Sequence, residues 1–147
     1  MNFYFDEQPI NQSRLILNND YSFKTVDNAY WDFQVSIEPY DVLLLNFNYE
    51  LKECVGIEGF LNISKCKSKK IILECKKKGT LKIDNFNVSK DAYGVAYKLS
   101  FKQCYFDDKA KIFAIGNIDN NVETLNIGIG RYVKIKDGKI VALFLQF

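Results

Sequence analysis

The 147-residue chain contains no histidine. That absence removes Ser-His-Asp and Cys-His catalysis, His-ligated zinc and imidazole-based pH switching. An enzyme built on this sequence would have to use carboxylates, lysine, tyrosine, cysteine or a bound cofactor. Arginine is almost missing as well, with Arg14 and Arg131 alone. Nucleic-acid readers favour arginine for bidentate contacts. Proline occurs only at Pro9 and Pro39, and no Pro/Gly/Ser-rich linker follows. The length and the missing linker predict one β-rich domain over residues 1–147. No apolar run approaches the roughly 18 residues of a membrane-spanning helix. The opening MNFYFDEQPINQ has neither the basic start nor the apolar core of a secretory signal, so a cytoplasmic location is expected.

The four cysteines, Cys54, Cys66, Cys75 and Cys104, form no CxxC knuckle. A zinc site built from them is therefore poorly supported, and no metal or cofactor is expected. Cys66 and Cys75 bracket the lysine-rich stretch CKSKKIILECKKKG and are placed to face each other across a hairpin. The simpler reading is four reduced thiols serving as small apolar residues. The Gly116–Asn121 loop lacks the ligand spacing of an EF-hand. Three N-x-S/T triplets, at Asn11, Asn62 and Asn87, are close to chance for this composition.

What the chain does have is period-two alternation. Trp31, Phe33, Val35 and Ile37 alternate with Asp32, Gln34, Ser36 and Glu38. Leu43 to Leu51 and Val95 to Phe101 repeat the pattern. Shorter strands are predicted at Asn2–Phe5, Tyr21–Val26, Gly59–Lys65, Ile71–Cys75, Leu81–Phe86, Lys111–Ile118 and Val122–Ile127. Turns are expected at Gly56, Lys67–Lys69, Lys78–Gly79, Asp107–Lys109 and Asn117–Asn121. Ile10–Leu17 reads as a short helix or an irregular strand, and Ser89–Tyr93 as one helical turn. The fold class is all-β: a single-domain antiparallel sandwich or barrel of about ten strands, with at most one or two short helices.

The sharpest local feature is YVKIK-DG-KIVALF. Asp137-Gly138 fits a type I′ turn, which needs positive φ at both central residues. The simplest register sets Lys136 against Lys139, Ile135 against Ile140 and Val133 against Ala142. Val133, Ile135, Ile140, Ala142 and Phe144 would then share the buried face. Gly128-Ile129-Gly130-Arg131 resembles a phosphate loop but lacks the third glycine and a following helix. A bulge or tight bend, with Arg131 at the surface, fits better.

Charge is lopsided although the net is only +2. Residues 1–60 carry ten acids and three bases, a net of −7; residues 61–90 carry nine lysines and two acids, a net of +7. The plain explanation is that strands from different segments interleave and the field averages out. The functional alternative is an acidic face for a basic partner. The Glu50, Glu53 and Glu58 group and the Asp107–Asp108 pair are also the places to look for an acid/base couple, with Glu50 and Glu58 as cross-strand neighbours.

Three function classes remain. The first is a non-enzymatic cytosolic protein-binding domain, in one version a bacterial immunity or inhibitor protein that neutralises a basic toxin or nuclease. Its acidic face would use Asp27, Asp32, Glu38, Asp41, Glu50, Glu53 and Glu58, with Trp31 and Tyr49 as aromatic anchors. The second is an intracellular β-barrel carrying a small apolar ligand. The third is a nucleic-acid-binding β domain. It is disfavoured because Lys67–Lys70 and Lys76–Lys78 bracket an aliphatic Ile71-Ile72-Leu73 with no aromatic between them. No membrane contact is expected.

Overall fold

A computed structural model describes residues 2–10, 13–26, 30–38, 43–84 and 95–147. Fourteen strands run in chain order: β1 (Asn2–Glu7), β2 (Arg14–Leu17), β3 (Ser22–Val26), β4 (Phe33–Glu38), β5 (Leu43–Asn48), β6 (Glu53–Phe60), β7 (Lys67–Ser68), β8 (Lys77–Asp84), β9 (Val95–Ser100), β10 (Cys104–Asp107), β11 (Ile112–Gly116), β12 (Leu125–Gly128), β13 (Arg131–Lys136) and β14 (Lys139–Gln146). One 3₁₀ turn, Ile63–Lys65, is the only helix among the described residues, and no described helix is long and apolar enough to cross a membrane. The all-β expectation holds. The strands exceed the expected ten, and the sheet is mixed, with β7–β10, β8–β12 and β4–β9 parallel. The predicted helical turn at Ser89–Tyr93 lies outside the described residues.

The strands form one curled half-barrel in the order β7-β10-β11-β14-β13-β12-β8-β6-β5-β4-β9. β1 adds to β8, and β2 reaches β6 through β3. Period-two alternation drives the curl. Phe33, Val35 and Ile37 of β4, Leu43, Leu45 and Phe47 of β5, and Leu143 and Leu145 of β14 all point inward. They meet in one cluster, with Phe33 stacked on Phe47 at 5.6 Å and Phe23 edge-on to Phe147 at 5.7 Å.

Several strand bounds moved. Gly56 is no turn: it lies buried in β6, beside a register shift against β5. Gly59–Lys65 is the end of β6 followed by the 3₁₀ turn, and Lys78–Gly79 lies inside β8. Of the stretch Ile10–Leu17, Arg14–Leu17 forms strand β2 while residues 11 and 12 lie outside the described residues, and β10 had no predicted counterpart.

The Asp137–Gly138 turn forms as expected, with φ of 52° and 74° and Lys136 opposite Lys139. The register then shifts by one residue. Lys134 faces Ala142 and Val133 faces Leu143, so Val141 is an extra residue in β14. The shift reverses every later side chain. Ala142 and Phe144 therefore point outward, not into the main core as the simplest register implies. They join Ile112, Ala114 and Ile71 in a second apolar cluster on the outer face.

Residues 69–76 cover that second cluster. The predicted strand Ile71–Cys75 pairs with no strand among the described residues; it is a strap between β7 and β8. Its alternation is as read from sequence: Ile71 is buried and Leu73 and Cys75 half-buried, while Ile72 and Glu74 are exposed. From Ser68 to Lys77 nine residue-to-residue steps span roughly 30 Å at ~3.3 Å each, and the six strand spacings from β7 to β8 come to roughly 29 Å. The strap is thus just long enough to cross this half of the sheet. Asp107 fixes its start: the Ile71 N–H donates to Oδ2 at 2.9 Å and the Ala110 N–H to Oδ1 at 3.0 Å. These backbone donors hold the Asp107 carboxyl below its ordinary range, against the opposing effect of burial.

Two outcomes test this account. Gly138→Val forces a β-branched residue to φ of 74° and crowds Asn2, so the melting temperature should fall by several degrees, corresponding to about 1–2 kcal/mol; an unchanged melt would discredit the turn. Asp107→Asn should destabilise the chain at pH 7. The lowered carboxyl pKa contributes stability above the ordinary value of 3.8 that is lost as pH falls through the folded value. The gap in melting temperature between wild type and variant should therefore narrow on acidification below pH 3.8, and a constant gap would remove the carboxylate from the account.

Candidate functional site

The strands β2-β3-β6-β5-β4-β9 lie side by side, and their outward side chains form transverse rows. One row reads Ile16, Lys24, Glu58, Leu44, Ser36, Lys98 in register. The rows beside it carry Arg14 opposite Val26, Asn46 opposite Gln34, and Ser22 opposite Phe60. Ile16, Val26 and Phe60 are exposed at 47%, 49% and 41%, an unusual share of apolar surface for an outer face.

Glu58 sits at the centre. Gln34 donates from Nε2 to Glu58 Oε1 at 3.2 Å and to Asn46 Oδ1 at 2.9 Å. Gln34 and Asn46 are both buried. One buried amide, Gln34, therefore holds the half-exposed carboxylate, and Asn46 in turn holds Gln34. Glu58 has no ion pair within 4 Å among the described residues. With Lys24, Ser22, Asn18 and Leu44 it lines a shallow hollow of about 320 Å³.

The other expected contact residues fare differently. Asp27 and Asp41 lie outside the described residues. Asp32 is turned to structural work, its Oδ2 accepting the Tyr49 N–H at 2.6 Å. Tyr49 is half-buried against the main core, and Trp31 is half-buried. Glu38 pairs with Lys98 at 3.2 Å, and Glu53 with Lys82 at 3.3 Å; Lys82 also reaches Asp6 at 2.9 Å. Those carboxylates hold the Lys82 ammonium pKa up. Glu50 is exposed in the turn after β5, and Glu58 faces Leu44 and Lys24 across the sheet, so the two are not cross-strand neighbours. Basic residues from later segments thus partly neutralise the acidic first 60 residues, as the plain explanation of the charge pattern anticipated. Asp107 of the Asp107–Asp108 pair is occupied by backbone donors.

Arg131 departs most from expectation. It is buried, not at the surface, and donates from Nη2 to the Ser13 carbonyl and hydroxyl at 3.2 Å each. The bulge expected at Gly128–Arg131 is present, and the guanidinium fills the space a side chain at Gly128 would need. Cys66 meets Cys104 rather than Cys75, the sulfurs 2.6 Å apart, while Cys75 contacts the Lys77 carbonyl. Burial, then the Cys104 thiol, pushes the Cys66 pKa up. Among the described residues no three His, Cys, Asp or Glu side chains converge as metal ligands.

Sequence reasoning missed Gln34, Asn46, Ile16, Val26 and Phe60. Alternation alone placed Gln34 and Asn46 on a polar face. Their pairing depends on the register between β4 and β5, which sets Gln34 opposite Asn46. The sequence matches no protein-family model and no curated protein sequence. The functional reading therefore rests on this surface.

The Cys54 thiol offers a check on how closely the inner face is packed. Burial pushes its pKa from 9.0 up to about 11, while the Arg131 charge pulls the other way. A raised thiol pKa gives stability that is complete below pH 9.0 and lost as pH climbs towards about 11. Since the thiolate is the nucleophile, alkylation of Cys54 by iodoacetamide should stay slow at pH 8 and rise towards about pH 11. Peptide mass spectrometry on the folded chain reads the rate. A profile matching that of the denatured chain would mean the thiol is not buried.

Proposed function

We propose that the chain is a non-enzymatic protein-binding domain whose partner docks on the outer face of β2-β3-β6-β5-β4, around Glu58. The observation carrying this reading is the combination of a fixed carboxylate with three exposed apolar side chains, Ile16, Val26 and Phe60. A charge already held in position loses little conformational freedom on binding. Apolar side chains beside it exclude water and strengthen an ion pair with an incoming arginine or lysine. The partner is therefore basic at its contact surface. A concrete form is a cytoplasmic immunity or inhibitor protein that neutralises a basic toxin or nuclease, since proteins that grip phosphate present basic clefts. Glu38, Glu50 and Glu53 stand farther out and contribute to steering; their pairing with lysines or exposure to solvent weakens any direct contribution.

The test compares immobilised wild-type chain with Glu58→Arg and Phe60→Ser, each first shown to keep the wild-type melting temperature. Extract of the native host is passed over all three. A basic protein held by the wild type should bind each variant at least about tenfold more weakly. Its association with the wild type should slow as salt rises. Equal retention on all three would rule out this face, and a partner with an acidic contact surface would rule out the charge argument.

A further inference from the structure

We infer that a second surface, independent of the face around Glu58, binds a nucleotide unit, either free or within a single strand. It is a hollow of about 620 Å³ where the β9–β10 connection meets the β13–β14 hairpin. The residues lining it include Lys102, Lys136, Lys139, Phe101, Tyr105 and Asn117. No described residue lining it is acidic. A concavity of this size falls in the usual range for small-ligand pockets, about 300–1,000 Å³.

The charge arrangement is the first argument. Lys136 and Lys139 are direct cross-strand partners, and like charges in that position repel. Asp137 lies in the turn between them and forms no ion pair within 4 Å among the described residues, and Asp119 is taken by Lys69 at 2.6 Å. Lys102 lines the same hollow from the β9–β10 connection. A phosphate placed there would relieve the repulsion between Lys136 and Lys139 and accept hydrogen bonds from both.

The rings are the second argument. An inorganic anion needs no aromatic wall, but a base does. Phe101 and Tyr105 are half-buried and line the same hollow as the lysines. Lys69 Nζ already lies 5.2 Å from the Tyr105 ring centre, so that ring is in use as a cation-facing surface. Lysines beside stacking rings are how single-strand binders hold a backbone and its bases. Read along the chain, no aromatic stood within the lysine runs. The fold supplies the rings from Phe101 and Tyr105 and the lysines from residues 102, 136 and 139.

Calorimetric titration of the purified chain with AMP, adenosine, inorganic phosphate and a single-stranded RNA of about eight nucleotides tests this. AMP should bind more tightly than either adenosine or phosphate, because it alone among the small probes engages both lysines and rings. Lys136→Gln with Lys139→Gln should weaken AMP about tenfold or more, whereas the charge-matched control Lys65→Gln with Lys109→Gln should not. Tyr105→Leu should weaken AMP but leave phosphate unchanged. RNA binding tighter than AMP supports the inference with a strand as source; comparable binding supports it with a free nucleotide. No binding of any probe, equal binding of AMP and phosphate, or equal loss in the control variant would overturn it.

Discussion

Strand β14 has apolar side chains on both faces, and both must be kept from water. Leu143 and Leu145 point into the main core; Ala142 and Phe144 point away from it. Burying a Phe or Leu side chain contributes about 1.5–3 kcal/mol, so neither face can stay open without a large loss. The inner face is covered by the curl of the sheet. Among the described residues no second sheet lies over the outer face, and the strap at residues 69–76 covers it instead. Much follows from that need. Asp107 fixes the start of the strap, Lys69–Asp119 and Lys77–Glu123 tie its two ends to the neighbouring loop, and Lys134 anchors that loop from beneath. The Lys134 ammonium donates to the carbonyls of Ile118 and Asn120 at 2.8 and 2.9 Å, and burial lowers its pKa.

Once the strap and the loop are in place, the faces of the molecule have different characters. The outer side of β10 to β14 is covered by chain. Among the described residues the outer side of β2 to β6 carries only its own side chains, and there Glu58 stands between Lys24 and Leu44, with Phe60 two residues along its strand and Ile16 beyond Lys24. The hollow beside the hairpin differs again, being basic and aromatic. The chain is lopsided in charge along its length, and the fold remixes that charge without erasing it. Carboxylates on β4 and β6 find lysines on β9 and β8, while Glu58 on the open face and the lysines at the hairpin keep their charge unpaired by described ionic partners.

How much of this was legible in the sequence depends on the range of the interaction. Alternation marks β4, β5 and β9 because one residue in two is apolar, a local property. The Asp137-Gly138 turn is equally local. The extra residue at Val141 is not, because Ile-Val-Ala-Leu-Phe is apolar at every step and carries no phase. The same lack of phase hid Ala142 and Phe144 on the outer face. The strap shows the opposite case: its alternation was right, but alternation reports burial of one side, not hydrogen bonding to a neighbour. Arg131 was misplaced because its partner, Ser13, lies 118 residues away in the chain. Of the expected acidic face, Glu58 alone combines central placement with a fixed geometry. What fixes it is an amide pair that no charge count would pick out.

The strap also bears on how the chain is made. Ile71 and Leu73 emerge long before Ile112, Ala142 and Phe144, which bury them. At about 5–20 residues per second, the 73 residues between Ile71 and Phe144 take roughly 4–15 s to synthesise. Throughout that interval Ile71-Ile72-Leu73 is an uncovered β-prone triplet, the kind of segment through which nascent chains associate. Lys67, Lys69 and Lys70 stand on one side of it and Lys76, Lys77 and Lys78 on the other. Flanking charge of this density keeps such a triplet from pairing with a neighbouring chain. The lysines around the strap thus act first on the unfinished chain, before the sheet they cross exists.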